Sequence, residues 1–169
     1  NLAPPELKKI HPLGKSPVLE DEGRIISESA AIVEYLCLRH GGENLIPARD
    51  SDEYLDYLQL MHFAEGSAMT PILMNLYVAR LGEAGAPLIP RIHEQLASHF
   101  HYMEQLLGDR AHFIGDQLSA ADVMMSFPAE VAVMNGGSDY PRLKAFVEGC
   151  HARPAWQKAR ERGGSYFIF

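Results

Sequence analysis

The residues best suited to chemistry lie in two short clusters, Ser16-Pro17 and Glu28-Ser29. Ser29 precedes an apolar stretch with helical spacing, and a helix N-terminus offers free N–H groups and the positive end of a dipole to a carboxylate. A serine at such a position also serves as a plain helix cap, and most X-Pro bonds are trans. Taken one at a time, the two clusters leave binding and purely structural roles open.

The elements that must position these clusters are a β-hairpin and the helix after it. Residues 17–19 and 24–26 are short apolar runs on either side of a polar turn at 20–23, the pattern of a hairpin. At residues 27–29 the apolar period changes from two to 3.6, which predicts a helix to about His40. A short helix within residues 4–10 precedes the hairpin.

The remainder of the chain predicts helices only. Residues 43–51 are polar and turn-rich, as expected of a link between domains. A helix starts at about Asp52 and should be kinked or interrupted by Pro71, before a Gly-Pro-rich loop at 82–87. Further helices are predicted at residues 89–107, 118–135, 140–151 and 154–162. The core face of the first of these consists of Ile92, Leu96, Phe100, Met103 and Leu107.

A capping box is predicted at Ser119, with Asp122 at the third helical position and Leu118 against Val123 as the hydrophobic staple. These residues have a folding role, so Ser119 and Asp122 are excluded from the candidate site.

Composition excludes several classes of protein. The chain has 169 residues, 47% of them hydrophobic, and a formal charge of −7, which suits a sizeable core and argues against nucleic-acid or anionic-membrane partners. No leader pattern and no apolar run of about 20 residues is present, so a cytoplasmic location is expected. Cys37 and Cys150 lie far apart, and His99 and His101 do not share a helix face, so no metal site is expected.

Two motifs together resemble the cytosolic glutathione transferases, of bacterial and fungal type. Residues 12–19, Pro-Leu-Gly-Lys-Ser-Pro-Val-Leu, are followed across the hairpin by residues 27–32, Ser-Glu-Ser-Ala-Ala-Ile. Residues 113–122 and 151–166 also look like the helical domain of that family. The resemblance implies an α+β fold: residues 1–42 are the C-terminal half of a thioredoxin-like glutathione-binding domain, 43–51 a linker, and 52–169 an all-helical domain.

The resemblance also implies a glutathione site. The Ser16-Pro17 bond would be cis, and the main chain of Ser16 would pair with the cysteinyl part of the tripeptide. Ser29 would bind the γ-glutamyl carboxylate, Glu28 would face the γ-glutamyl ammonium, and Lys15 would touch the tripeptide. Glutathione is thus expected as a co-substrate, with no metal.

In this family the first long helix of the second domain lines the pocket of the electrophile, and the resemblance also implies a homodimer. The candidates for this pocket or the dimer side are Tyr57, Met61, His62, Glu65 and Met69. Methionine suits variable apolar substrates, although Met61 and Met69 could equally be core. Glu65, a carboxylate in apolar surroundings, could face the dimer interface.

The expected activity is glutathione conjugation to small electrophiles. The thiol-activating residue is unknown, because the family carries it in a β-α-β unit that we expect to precede the printed residues. Glutathione-dependent peroxidase, dehalogenase or isomerase chemistry, or a non-catalytic binding or structural role, remain as alternatives.

Overall fold

The computed structural model describes residues 4–164 and begins with a helix and a hairpin. Helix α1 (Leu7–Ile10) leads into strands β1 (Val18–Asp21) and β2 (Arg24–Ser27), which pair antiparallel with Val18 opposite Ser27 and Asp21 opposite Arg24. The turn is shorter than predicted, because Glu22 (φ 49°) and Gly23 (φ 76°) both adopt positive φ and connect the strands in two residues.

Helix α2 (Ser29–Arg39) follows the hairpin and ends where Gly41 takes a positive φ of 80°. Its side chains Ile32 and Cys37 are buried, and the helix packs on helix α6 (Ala120–Gly136). A three-residue 3₁₀ turn (Glu43–Leu45) lies within the predicted linker. The bounds of the two domains stay a prediction.

Helix α3 (Asp52–Phe63) does not continue directly into helix α4 (Met69–Ala79), because a π-helical segment (Ala64–Ala68) separates them. The predicted interruption at Pro71 is therefore wrong in position. Pro71 lies in the first turn of α4. In a regular α-helix it could not donate a hydrogen bond to the carbonyl of Ser67, and its ring would clash with that carbonyl. The wider π turn just before Pro71 makes room for the ring.

Helix α5 (Ile89–Leu107) has the predicted bounds, and its five predicted core residues are all buried. The segment before it, predicted as a loop, is a 3₁₀ helix (Gly82–Leu88). Gly85 is required there, since an added Cβ would lie 2.4 Å from the carbonyl oxygen of Val78.

The capping box at the start of α6 is confirmed. Asp122 accepts the N–H and the hydroxyl of Ser119 at 2.7 Å and the N–H of Phe113 at 2.7 Å, and it is fully buried. The predicted staple is not supported, because Val123 is 44% exposed.

Helices α7 (Pro141–Ala152) and α8 (Pro154–Gly163) complete the described bundle. The hydrophobic core is one cluster that draws side chains from α2 through α7. Within residues 4–164 no helix has the length and hydrophobicity needed to cross a bilayer. The predicted family resemblance at residues 165–166 lies outside the described residues.

Candidate functional site

The hairpin register brings the two predicted clusters together. Val18 pairs with Ser27, so Ser16-Pro17 just before β1 and Glu28-Ser29 just after β2 lie side by side at the end away from the turn. The Ser16-Pro17 peptide bond is cis, as the family resemblance implied. Lys15, Ser16 and Pro17 are all exposed.

The N-terminus of α2 is open to a ligand. Its first intrahelical bond runs from the N–H of Ile32 to the carbonyl of Glu28, so the N–H groups of Ser29, Ala30 and Ala31 have no acceptor within the helix. No side chain caps this end in the described part of the chain. Ser29 occupies the first helical position and is half-buried, so it is not the N-cap.

Glu28 has an unusual backbone, φ 72° and ψ 119°, with an exposed side chain. A residue other than glycine rarely takes positive φ, and such residues concentrate at ligand sites. The arrangement sets an exposed carboxylate directly beside a free helix N-terminus. It can therefore hold a small molecule that carries both an ammonium and a carboxylate group.

Sequence reasoning missed His11, which the fold brings to this site. Its Nε2 lies 3.5 Å from Oγ of Ser27, the residue next to Glu28, and the imidazole is half-buried. The contact joins the loop that leads to Ser16 with the end of β2. The two residues are 16 positions apart, and only the folded hairpin reveals the pairing.

Five candidates for the electrophile pocket or the dimer side lie in α3, the π segment and the start of α4. Two of them, Tyr57 and Met61, do not fit a surface pocket. Tyr57 is 0% and Met61 5% exposed, and both belong to the core, because the buried stripe of this helix continues through Ala64 and Ala68. Burial raises the pKa of the Tyr57 hydroxyl, which has no hydrogen-bond partner among the described residues. Met69 is half-buried against the same core, whereas His62 and Glu65 are exposed.

Two exposed apolar surfaces on the helices are alternatives to the pocket predicted at Tyr57 and Met61. One is a groove of about 550 Å³ between α3 and α5, lined among others by Leu58, His62 and Tyr102. The other is the outer face of α4, with Leu73, Met74 and Tyr77, each at least 37% exposed. The sequence signal for the second was the spacing of Leu73 and Tyr77 by one helical turn on a helix that also has a buried face.

Residues 4–164 contain no group of three or more His, Cys, Asp or Glu side chains that could hold a metal ion. The polar groups at the α2 end of the candidate site are backbone N–H groups, the Ser29 hydroxyl and the Glu28 carboxylate.

Comparison with known proteins gives the same family twice along the chain. Residues 1–44 match the family "Glutathione S-transferase, N-terminal domain", and residues 89–160 match "Glutathione S-transferase, C-terminal domain". Glutathione S-transferase 3 of Schizosaccharomyces pombe is 31% identical over 176 residues, an alignment that covers 95% of this chain and 72% of the relative.

Solved structures agree with the sequence relatives. A crystal structure of a glutathione S-transferase from Actinobacillus pleuropneumoniae superposes with a TM-score of 0.83 and 31% identity, over 95% of this chain and 74% of that one. A sphingomonad glutathione S-transferase complexed with glutathione has the same fold, with a TM-score of 0.77 and 22% identity over 94% of this chain and 79% of its own. The chain belongs to the glutathione S-transferase family.

Proposed function

We propose that this protein is a glutathione S-transferase that conjugates the thiolate of reduced glutathione to small hydrophobic electrophiles. The observation that carries the proposal is the uncapped N-terminus of α2 with the exposed Glu28 at positive φ, beside the start of β1. The family relatives support it, and the sphingomonad structure holds glutathione in a protein of the same fold.

In the proposed complex, the α2 N-terminus receives the γ-glutamyl end of the tripeptide. The N–H and hydroxyl of Ser29 donate to the carboxylate, and the carboxylate of Glu28 accepts from the ammonium. The exposed main chain of Ser16 pairs with the extended cysteinyl segment as an added strand would, and Lys15 approaches the tripeptide from the preceding loop.

The chemical step is nucleophilic attack. The glutathione thiolate attacks an electrophilic carbon and forms a C–S bond, while a leaving group departs with the electron pair or a proton adds to a conjugated acceptor. We assign the described residues to binding and orientation of glutathione. The exposed face of α4, with Leu73, Met74 and Tyr77, is our revised candidate for the surface that receives the electrophile.

We further propose a homodimer that uses the groove between α3 and α5. Leu58 and Tyr102 in its lining are 39% and 47% exposed, which is typical of an apolar contact surface. Glu65 lies exposed in the π segment that follows α3 and stays a candidate for the dimer side. We place the protein in the cytoplasm, where free thiols such as Cys37 and Cys150 persist.

Calorimetric titration with reduced glutathione tests the binding site. The Ser29→Ala and Glu28→Ala variants should each bind glutathione about tenfold more weakly than the parent protein, because each loses one charge-assisted hydrogen bond. Ser98→Ala on α5 and Glu20→Ala on β1, both exposed and outside the site, are the matched controls and should keep the parent affinity. Parent affinity in a variant that carries both Ser29→Ala and Glu28→Ala would refute the site, and a parent protein that does not bind millimolar glutathione would refute the activity for this chain.

A further inference from the structure

A crevice between helices α4, α5 and α6 shares no lining residue with the predicted glutathione site. Its volume of about 320 Å³ lies at the lower end of the range of about 300–1,000 Å³ that small-molecule pockets occupy. Each of the three helices contributes a largely buried apolar side chain to the lining: Ile72 is 3%, Leu96 8% and Val131 3% exposed. We call this feature the three-helix crevice.

Two asparagines supply the polar side chains of this lining, Asn75 of α4 and Asn135 of α6. Nδ2 of Asn135 donates to the carbonyl of Val131 at 2.7 Å, whereas its Oδ1 accepts no hydrogen bond from the described residues. The half-buried amide of Asn75 makes no side-chain hydrogen bond within residues 4–164. A primary amide offers two N–H donors and one acceptor oxygen, so the crevice has both kinds of group available beside its apolar wall.

The charge of the lining restricts what the crevice can hold. Among the described residues, no charged side chain lines it. A charged ligand would therefore lose its hydration without gaining an opposite charge, and a purely apolar ligand would leave the amide of Asn75 facing carbon. The lining is best matched by a neutral molecule with an apolar body and one group that both donates and accepts hydrogen bonds.

An aromatic ring is a suitable apolar body for this ligand. Met134 contributes a thioether to the lining and is 61% exposed. The sulfur of methionine is polarisable and makes favourable contacts with aromatic rings, and the unbranched side chain adapts to the shape of what it covers. A flat ring with a single polar substituent also fits the small volume of the crevice.

We propose that the three-helix crevice is a second small-molecule site, which binds neutral aromatic molecules that carry a carboxamide or a similar donor–acceptor group. The ring packs on Ile72, Leu96 and Val131, and the polar group pairs with the amide of Asn75. On α4 these contacts use a different face from Leu73, which belongs to the proposed electrophile surface. The site goes beyond the proposed transferase activity and does not rest on it, because it needs no glutathione.

Benzamide is the probe for this site, and toluene, which keeps the ring but lacks the amide, is its counterpart. Each is titrated into the isotope-labelled parent protein without glutathione and followed by NMR. Millimolar benzamide should give saturable shifts in the side-chain amide of Asn75 and in the methyl groups of Ile72, Leu96 and Val131. The methyl groups of Leu73 should shift less, since they lie on the other face of α4.

Two variants locate the probe. Asn75→Leu keeps the size of the side chain but removes its amide, so it should bind benzamide about tenfold more weakly and toluene at least as tightly as the parent protein. Gln105→Leu, the same kind of change at an exposed residue of α5, is the control. Ala79→Phe places a ring in the lining at an exposed position and should block both probes, whereas Ala97→Phe on α5, outside the lining, should block neither.

Four results would overturn the proposal. They are the absence of saturable shifts in the parent protein, shifts centred on Leu73, an equal loss of both probes in Asn75→Leu, and unchanged benzamide binding in Ala79→Phe. Because glutathione is absent throughout, a failure of the transferase proposal leaves each of these readouts intact.

Discussion

One carboxylate oxygen of Asp21 ties the hairpin turn to the far end of α2. Oδ2 accepts the Tyr35 hydroxyl at 3.0 Å and lies 2.8 Å from Nε2 of His40. These hydrogen bonds, with His40 as the larger cause and Tyr35 as the second, lower the pKa of Asp21 below its ordinary value of 3.8. Asp21 thus links the hairpin to the end of the helix whose other end forms the site.

We expect Asp21 to make stability depend on acid pH. Because its pKa is lower in the folded than in the unfolded state, the stabilisation is present above the unfolded value of 3.8 and is lost as the pH falls through the folded value. Urea unfolding of the parent protein and Asp21→Asn should therefore differ at pH 6 and converge below about pH 4. A difference that stays constant down to pH 3 would contradict this role, and Glu20→Gln on the same strand is the control.

Helix α7 is capped by a residue of another helix. Glu104 of α5 is 7% exposed and accepts the N–H groups of Arg142 at 3.0 Å and Leu143 at 2.9 Å. The carboxylate lies at the positive end of the α7 dipole and satisfies two of its free N–H groups. It therefore couples the start of α7 to the middle of the bundle.

Replacement of Glu104 by Ala should lower the free energy of unfolding by about 2 kcal/mol, because two N–H groups lose their acceptor at a largely buried helix end. Amides of the first turn of α7 should lose protection against hydrogen exchange in the same variant. Gln105→Ala, an exposed neighbour, should change stability by less than about 0.5 kcal/mol. Equal stability of Glu104→Ala and the parent protein would show that the cap is dispensable.

Local sequence patterns predicted the helices and strands well where a single hydrophobic period dominates. The bounds of α5 and its buried face follow from an uninterrupted i, i+4 spacing. The π segment was not predictable in this way, since Pro71 shows that the helix must adapt but not where it does so. Tyr57 and Met61 were candidates for the pocket or the dimer side because the family resemblance places this helix beside the electrophile, and the sequence does not show which face of the helix the core covers.

The same reasoning explains which contacts of the sites were missed. Ser16, Pro17, Glu28 and Ser29 were found because the motif spans a short hairpin. His11 and Glu104 contact partners 16 to 39 positions away, and such pairs depend on how the hairpin folds and how the helices pack. Whether the four motif residues bind glutathione stays a prediction.

At the scale of the whole molecule, the groove between α3 and α5 is the surface we propose for self-association. Its lining combines the apolar side chains of Leu58, Phe63 and Leu106 with the charged Asp56 and Arg110. A twofold interface repeats the same patch on both subunits, so a surface that carries both an apolar centre and charges of both signs is suited to pair with itself.

Sedimentation of the 18.8 kDa chain should give twice this mass for the parent protein and the monomer mass for Leu58→Glu at the same concentration. A carboxylate placed in the apolar centre would be desolvated in the dimer without a partner, which should weaken association about a hundredfold or more. Leu88→Glu is the matched control, because Leu88 is also exposed but lies before α5, away from the groove, and this variant should remain dimeric. A monomeric parent protein, or a Leu58→Glu variant that still dimerises, would show that this groove does not join two copies of the chain.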